Sequence, residues 1–144
     1  MNLKGRRAMI TGATGGLGKV MAGTLAELGA DLLLIDRPGT DLEHLTAELI
    51  QRWGVKIEHQ HCDLEQLDQR FTLIEWVKSS SEGLNILINN AAFVGTSELI
   101  GWAVPFEEQS VETWRRAMEV NLTAVFDLCQ GLTPMLKIAE GASI

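Results

Sequence analysis

Apolar positions along the chain change period several times, and each change marks an element. "RAMIT" (7–11) is a short apolar run of strand type that stops at the glycine-rich "TGATGGLG". Leu17, Val20, Met21, Leu25 and Leu28 then recur at helical spacing until Gly29 interrupts them. "ADLLLID" (30–36) is apolar almost throughout and closes on an acid, the pattern of a strand covered on both faces, and Pro38 with Gly39 breaks it. Leu42, Leu45, Leu49 and Trp53 predict a second amphipathic helix ended by Gly54, and "VKIEHQHCDL" alternates as a third strand does. Leu67, Phe71, Ile74 and Val77 predict a third helix. Ser79, Ser80, Ser81 and Gly83 form a turn cluster before "LNILINNAA", a fourth buried strand. After a loop with Gly95, Gly101 and Pro105, a long helix is predicted over 111–138, with Trp114, Met118, Leu122, Val125, Cys129, Leu132 and Leu136 on its apolar stripe.

Strands alternating with helices of this length pair in parallel through right-handed crossovers, which predicts an α/β, Rossmann-type doubly wound sheet. Such sheets bind ligands at the carboxyl ends of their strands, where the glycine-rich stretch falls. Its glycines have separable uses: Gly12 permits the tight turn, Gly16 lets the backbone approach a pyrophosphate, and Gly18 allows close packing of the following helix. That helix offers unpaired N–H groups and its positive dipole end to the phosphates. A glycine loop alone is weak evidence, but Asp36 closes the second strand close to the spacing of roughly 20 residues expected for an acid that bonds a ribose 2′-hydroxyl. The charge on Asp36 would repel a 2′-phosphate, so NAD is expected over NADP. Arg37, directly after it, either reaches an adenosine phosphate or is a solvated turn residue.

Composition narrows the function. The 144 residues are 46% hydrophobic and 22% charged, the balance of one globular domain spanning 1–144. A formal net charge of −7 argues against nucleic acid as partner. No apolar run has signal-peptide or membrane-spanning length, so a cytoplasmic protein that does not enter membranes is expected. Cys62 and Cys129 lack metal or disulfide spacing. His59 and His61 lie beside Cys62, but no further ligand is spaced to close a tetrahedron, and no metal is expected. Trp102 or Phe106, in the loop after the fourth strand, is a candidate pocket residue.

Four segments in order resemble the short-chain dehydrogenase/reductase family: "TGATGGLG" its TGxxxGxG loop, "CDL" (62–64) its adenine-contacting acid, "NNAA" (89–92) its NNAG segment, and "NLTAVF" (121–126) its helix asparagine. The loop spacing is that of the branch of simple oxidoreductases. The resemblance implies that Gly12, Thr14, Gly16, Leu17 and Gly18 neighbour the pyrophosphate and ribose, with Asp36 and Arg37 at the adenosine ribose. It places Asp63 and Leu64 at the adenine, and Asn90, Ala91 and Ala92 at the nicotinamide ribose. Ala92 departs from the family glycine and brings a Cβ to the cofactor's side. Asn121 would be the catalytic asparagine that positions a water in the proton relay; on the residues alone, it could equally bond a nearby backbone group. The resemblance also implies a homo-oligomer, a dimer or tetramer, packed through the long helix.

The family's hydride transfer uses a tyrosine as acid, a lysine and a serine, and this sequence contains no tyrosine. "GASI" (141–144) reads as the start of a fifth strand, with Ser143 too early to be the catalytic serine. The leading expectation is therefore the N-terminal, NAD-binding part of an oxidoreductase acting on a small-molecule secondary alcohol or ketone, inactive as these 144 residues. The alternatives are a non-catalytic nucleotide-binding or interaction module, or a segment that binds nothing well.

Overall fold

A computed structural model describes residues 2–80, 83–94, 97 and 99–144. The elements run β1 (Arg7–Thr11), α1 (Gly16–Glu27), β2 (Asp31–Asp36), α2 (Leu42–Trp53), β3 (Ile57–His61), α3 (Leu67–Ser79) and β4 (Ile86–Ile88). A short 3₁₀ turn (Phe106–Glu108) precedes α4 (Val111–Met118), which continues through a π turn (Glu119–Thr123) into α5 (Ala124–Ile138). Ser81 and Gly95, turn and loop residues in the sequence pattern, lie outside the described residues.

The sheet is parallel in the order β3-β2-β1-β4, with Met9 opposite Leu33 and Leu87 across β1. Where the sequence predicts the start of a fifth strand, Ser143 forms a single isolated parallel bridge with Ile86, its N–H donating to Asn85 O at 2.9 Å and its carbonyl accepting from Leu87 N–H at 3.0 Å. Alternation within the strands divides the core. Ala8, Ile10, Leu32 and Leu34 face α1 and α2, where they meet Ala22, Ala26, Leu42, Leu45 and Leu49. Met9, Leu33, Ile35 and Leu87 face the other side, packing with Leu73 and Val77 of α3 and Ala124, Leu128 and Leu132 of the long helix. Both faces of the sheet are thus covered, which is why "LLLI" carries no polar residue.

Two helices turn a different stripe inward from the one their bulk predicts. In α1 the buried line is Gly18, Ala22 and Ala26, while Leu17 and Val20 are exposed. In the long helix the buried line is Ala117, Val120, Ala124, Leu128, Leu132 and Met135, while Trp114 and Leu122 are exposed. The expected stripe is therefore displaced by about one residue and shares only Leu132 with the buried line. Small side chains let a helix axis approach the sheet, and the larger apolar groups beside them then stand at the edge of the contact or outside it. The helix is also not regular: the π turn at Glu119–Thr123 inserts a wider turn into what the periodicity reads as one α-helix.

Candidate active site

The carboxyl ends of β1, β2 and β4 open into a cleft of about 480 Å³, a size suited to a small ligand or part of a larger one. Its walls carry Gly12, Thr14, Gly16 and Leu17 from the glycine loop and the start of α1, Asp36 and Arg37 after β2, Asp63 and Leu64 after β3, and Asn90, Ala91 and Ala92 after β4. Eleven of the thirteen residues proposed from sequence therefore meet around one space. Gly18 and Asn121 do not line it, and each supports a residue that does.

Gly12 leaves β1 at φ +66°, in the left-handed region, and a Cβ there would stand 3.0 Å from Ala91 Cα. Gly18 sits under it: a Cβ would lie 2.1 Å from Gly12 O, so α1 can start where it does only with glycine at this position. The close approach that Gly18 permits is thus to the glycine loop itself. Asp41 caps α2 and Ser110 caps α4 through their side chains, whereas α1 begins at Gly15 with no side-chain cap and no acid in its first turn. The first-turn N–H groups of Gly16, Leu17 and Gly18 have no intrahelical acceptor by their position and point toward the cleft end of the helix, where the dipole favours an anion.

Asn90 clasps the loop from the far side. Its Nδ2 donates to Thr11 O and Gly12 O, both at 3.0 Å, and Thr11 Oγ1 accepts from Asn90 N–H and Ala91 N–H, both at 3.1 Å. The side chain of Asn90 thus joins β1 to β4, and the backbone after it faces the cleft. Asp36 turns inward: Oδ2 accepts from Thr14 N–H at 2.8 Å and Thr14 Oγ1 at 2.7 Å, and Oδ1 accepts from Arg37 N–H at 2.8 Å. Arg37 is exposed at the rim. Asp63 Oδ1 accepts from Glu65 N–H at 3.0 Å, which shapes the turn beside Leu64. At the cleft floor, burial first and the neighbouring Asp63 second push the Cys62 thiol up to about 12, so it stays protonated.

Asn121 lies in the π turn, where its Oδ1 accepts from Phe93 N–H at 2.7 Å and its Nδ2 donates to Phe93 O at 2.9 Å. The backbone-bonding reading of this asparagine is what the geometry displays. Its two bonds fix Phe93, a cleft residue, against the long helix. Sequence reasoning missed Arg70, which is buried at 2% exposure and joins three elements. Its Nε donates to Asp127 Oδ2 at 2.9 Å, Nη1 to Leu64 O at 2.6 Å and Nη2 to Glu119 Oε1 at 2.6 Å. Glu119 opens the π turn, so Arg70 ties the turn after β3 to the segment that carries Asn121. An arginine at one polar position of an amphipathic helix gives no signal of this. Trp102 packs near Trp114, ring centroids 6.2 Å apart, and Phe106 is 87% exposed; neither lines the cleft, because the loop that carries them folds back on α4. His59 and His61 are held at Thr46 Oγ1 and Thr40 O, both at 3.0 Å.

A parallel β3-β2-β1-β4 sheet whose first strand runs through a glycine loop into an uncapped helix defines the Rossmann-type class of α/β proteins. The family model for short chain dehydrogenase matches residues 6–144, and the chain belongs to that family. It is 36% identical to a tropinone reductase homolog of Datura stramonium, covering 99% of this chain and 51% of that protein. It is also 36% identical to nodulation protein G of a Rhizobium species, covering 99% of this chain and 54% of that one. Among solved structures, L-sorbose reductase from Gluconobacter frateurii complexed with NADPH and L-sorbose matches with a TM-score of 0.84 at 28% identity, over 96% of this chain and 50% of that chain. NADPH-dependent 3-quinuclidinone reductase from Rhodotorula rubra matches with a TM-score of 0.80 at 29% identity, over 95% and 49% of the two chains. The chain spans about half the length of the curated relatives it matches.

Proposed function

We propose that this chain is the dinucleotide-binding part of an oxidoreductase that moves a hydride between a nicotinamide cofactor and a secondary alcohol or ketone. The carrying observation is the cleft in which an uncapped α1, a glycine loop packed to backbone contact and the ends of β2, β3 and β4 converge. Gly16, Leu17 and Gly18 would take the pyrophosphate through their N–H groups, Asp63 and Leu64 would flank the adenine, and the backbone of Asn90 to Ala92 would border the nicotinamide ribose. Ala92 is exposed, so its Cβ finds room there. When bound, the cofactor supplies the hydride acceptor or donor; the chain's own residues bind and orient it. Asn121 serves this site by holding Phe93, and the water-positioning role implied by the family is part of the proposal. These 144 residues hold no tyrosine to exchange the substrate proton, which supports the reading that they bind the cofactor and do not by themselves turn over substrate.

For the adenosine end, the sequence expectation was NAD. The relatives solved with NADPH, together with the exposed Arg37 guanidinium beside the cleft, support NADP(H) instead. The charge of Asp36 supports NAD as the second reading. Calorimetric titration of the protein with NADP⁺ and with NAD⁺ decides: saturable binding of NADP⁺ at one site per chain is expected, tighter binding of NAD⁺ would restore the second reading, and binding of neither would refute the function.

Among the described residues no helix is long and apolar enough to cross a membrane. Two free cysteines support a reducing compartment, the cytoplasm, and the net charge of −7 supports small-molecule rather than nucleic-acid partners. Leu122 and Phe126, one turn apart and both exposed on the long helix, support a homo-oligomer packed through that helix.

A further inference from the structure

Asp36 closes β2 beside the adenosine end of the proposed cofactor site, and its carboxylate is already engaged. A carboxylate has about four acceptor positions. Three are filled here, two on Oδ2 by the N–H and hydroxyl of Thr14 and one on Oδ1 by Arg37 N–H, all within 2.8 Å. Turning the group outward to a ribose would leave both Thr14 donors without this acceptor. Next to it Ala13 N–H donates to Ile35 O at 3.1 Å, so two consecutive loop residues are stitched to the end of β2, while Gly15 N–H closes the turn on Gly12 O at 3.1 Å. With residues 13, 14 and 15 bonded inward, the amides that remain for a ligand are those of Gly16, Leu17 and Gly18.

We infer that Asp36 is a positioning residue for the phosphate-binding loop, with Thr14 as its partner, rather than the acceptor that selects the ribose. This rests on the reading of the cleft as a dinucleotide site. The two roles part at Thr14, whose hydroxyl can be removed while the Asp36 charge and its repulsion of a 2′-phosphate stay in place. A ribose acceptor relieved of that hydroxyl is freer to take the ribose 2′-hydroxyl and shifts selectivity toward NAD⁺. A loop latch that loses it weakens both dinucleotides together, because both bind through the same pyrophosphate.

The test compares wild type with Asp36→Ala and Thr14→Val by two measurements on the same preparations: calorimetric titration with NAD⁺ and NADP⁺, and amide hydrogen exchange of residues 12–18 without ligand. Asp36→Ala is expected to weaken NAD⁺, which carries no 2′-phosphate, about tenfold, and to speed exchange of the loop about tenfold, the order expected for loss of charge-assisted bonds. Thr14→Val, which keeps the N–H bond and the Asp36 charge, is expected to weaken both dinucleotides about threefold with their ratio unchanged and to speed loop exchange about threefold, and Thr14→Ser, which keeps the hydroxyl, to rescue both. If Thr14→Val shifts the ratio of NADP⁺ to NAD⁺ affinity by more than about threefold, or Asp36→Ala leaves loop exchange at the wild-type rate, the inference is overturned. Should wild type bind neither dinucleotide, the function fails, yet loop exchange in Thr14→Val and Asp36→Ala still decides the latch. Thr14→Val also covers the case in which Asp36→Ala does not fold.

Discussion

Replacing Arg70 with methionine removes the guanidinium and keeps most of the side chain's length. Arg70 is 2% exposed, whereas the carboxylates it holds, Glu119 and Asp127, are 35% and 24% exposed. Removing one partner of a fully buried ion pair costs about 3–5 kcal/mol, mostly because the other charge is stranded. Here both stranded carboxylates reach water, so the lower bound applies, and the methionine recovers part of it by burying apolar surface. Leu64 O also loses its 2.6 Å donor. The net loss is about 2–3 kcal/mol, which corresponds to a Tm lower by about 4–12 °C for a chain of this size. Urea and thermal unfolding followed by tryptophan fluorescence and circular dichroism measure it. Arg70→Lys keeps the charge but cannot serve three acceptors in one plane, and should recover less than half of the loss. A methionine variant as stable as wild type would refute the account, since it would mean that the three-way junction adds nothing over an apolar filler.

Gly18→Ala puts a Cβ 2.1 Å from Gly12 O, and neither atom can yield without moving α1 or the loop; about 2 kcal/mol of stability and most dinucleotide binding should be lost, as unfolding and titration would report. Cys62 gives a pH signature. Its folded pKa of about 12 lies above the unfolded value near 8.5, so its contribution to stability is complete below about pH 8.5 and is lost as pH rises toward 12. Unfolding free energies of wild type and Cys62→Ala from pH 8 to pH 10.5 should converge as pH rises, and at pH 8 iodoacetamide should leave Cys62 unlabelled in the folded protein.

Most of the fold could be read from period changes. β1, β2, α2 and the start of α3 fall where the apolar pattern and its glycine stops put them. The fourth strand is shorter than "LNILINNAA", because after Ile88 the Asn89 side chain turns to Cys129 on the long helix and Asn90 bonds Thr11 and Gly12, so both leave the ladder. The inward faces of α1 and the long helix were misread, since a buried Gly-Ala-Ala line has little hydrophobic weight beside Leu17, Val20, Trp114 and Leu122. At the site, residue identity and spacing were enough to gather the cleft, because one topology brings the ends of β1, β2, β3 and β4 together. The direction of side chains was not legible. Asp36 faces Thr14, Asn90 faces Thr11 and Gly12, and Arg70 reaches two acids 49 and 57 residues away, all contacts between segments that sequence order does not relate.

The central claim is that α1's first turn and the ends of β3 and β4 hold one dinucleotide. Amide chemical-shift mapping with NADP⁺ tests it most directly. The account predicts the largest saturable changes at Gly16, Leu17 and Gly18, with further changes at Asp63, Leu64 and Ala91. Changes confined to the opposite end of the sheet, around Arg6, Asp31 and Asn85, or none at saturating ligand, would contradict it.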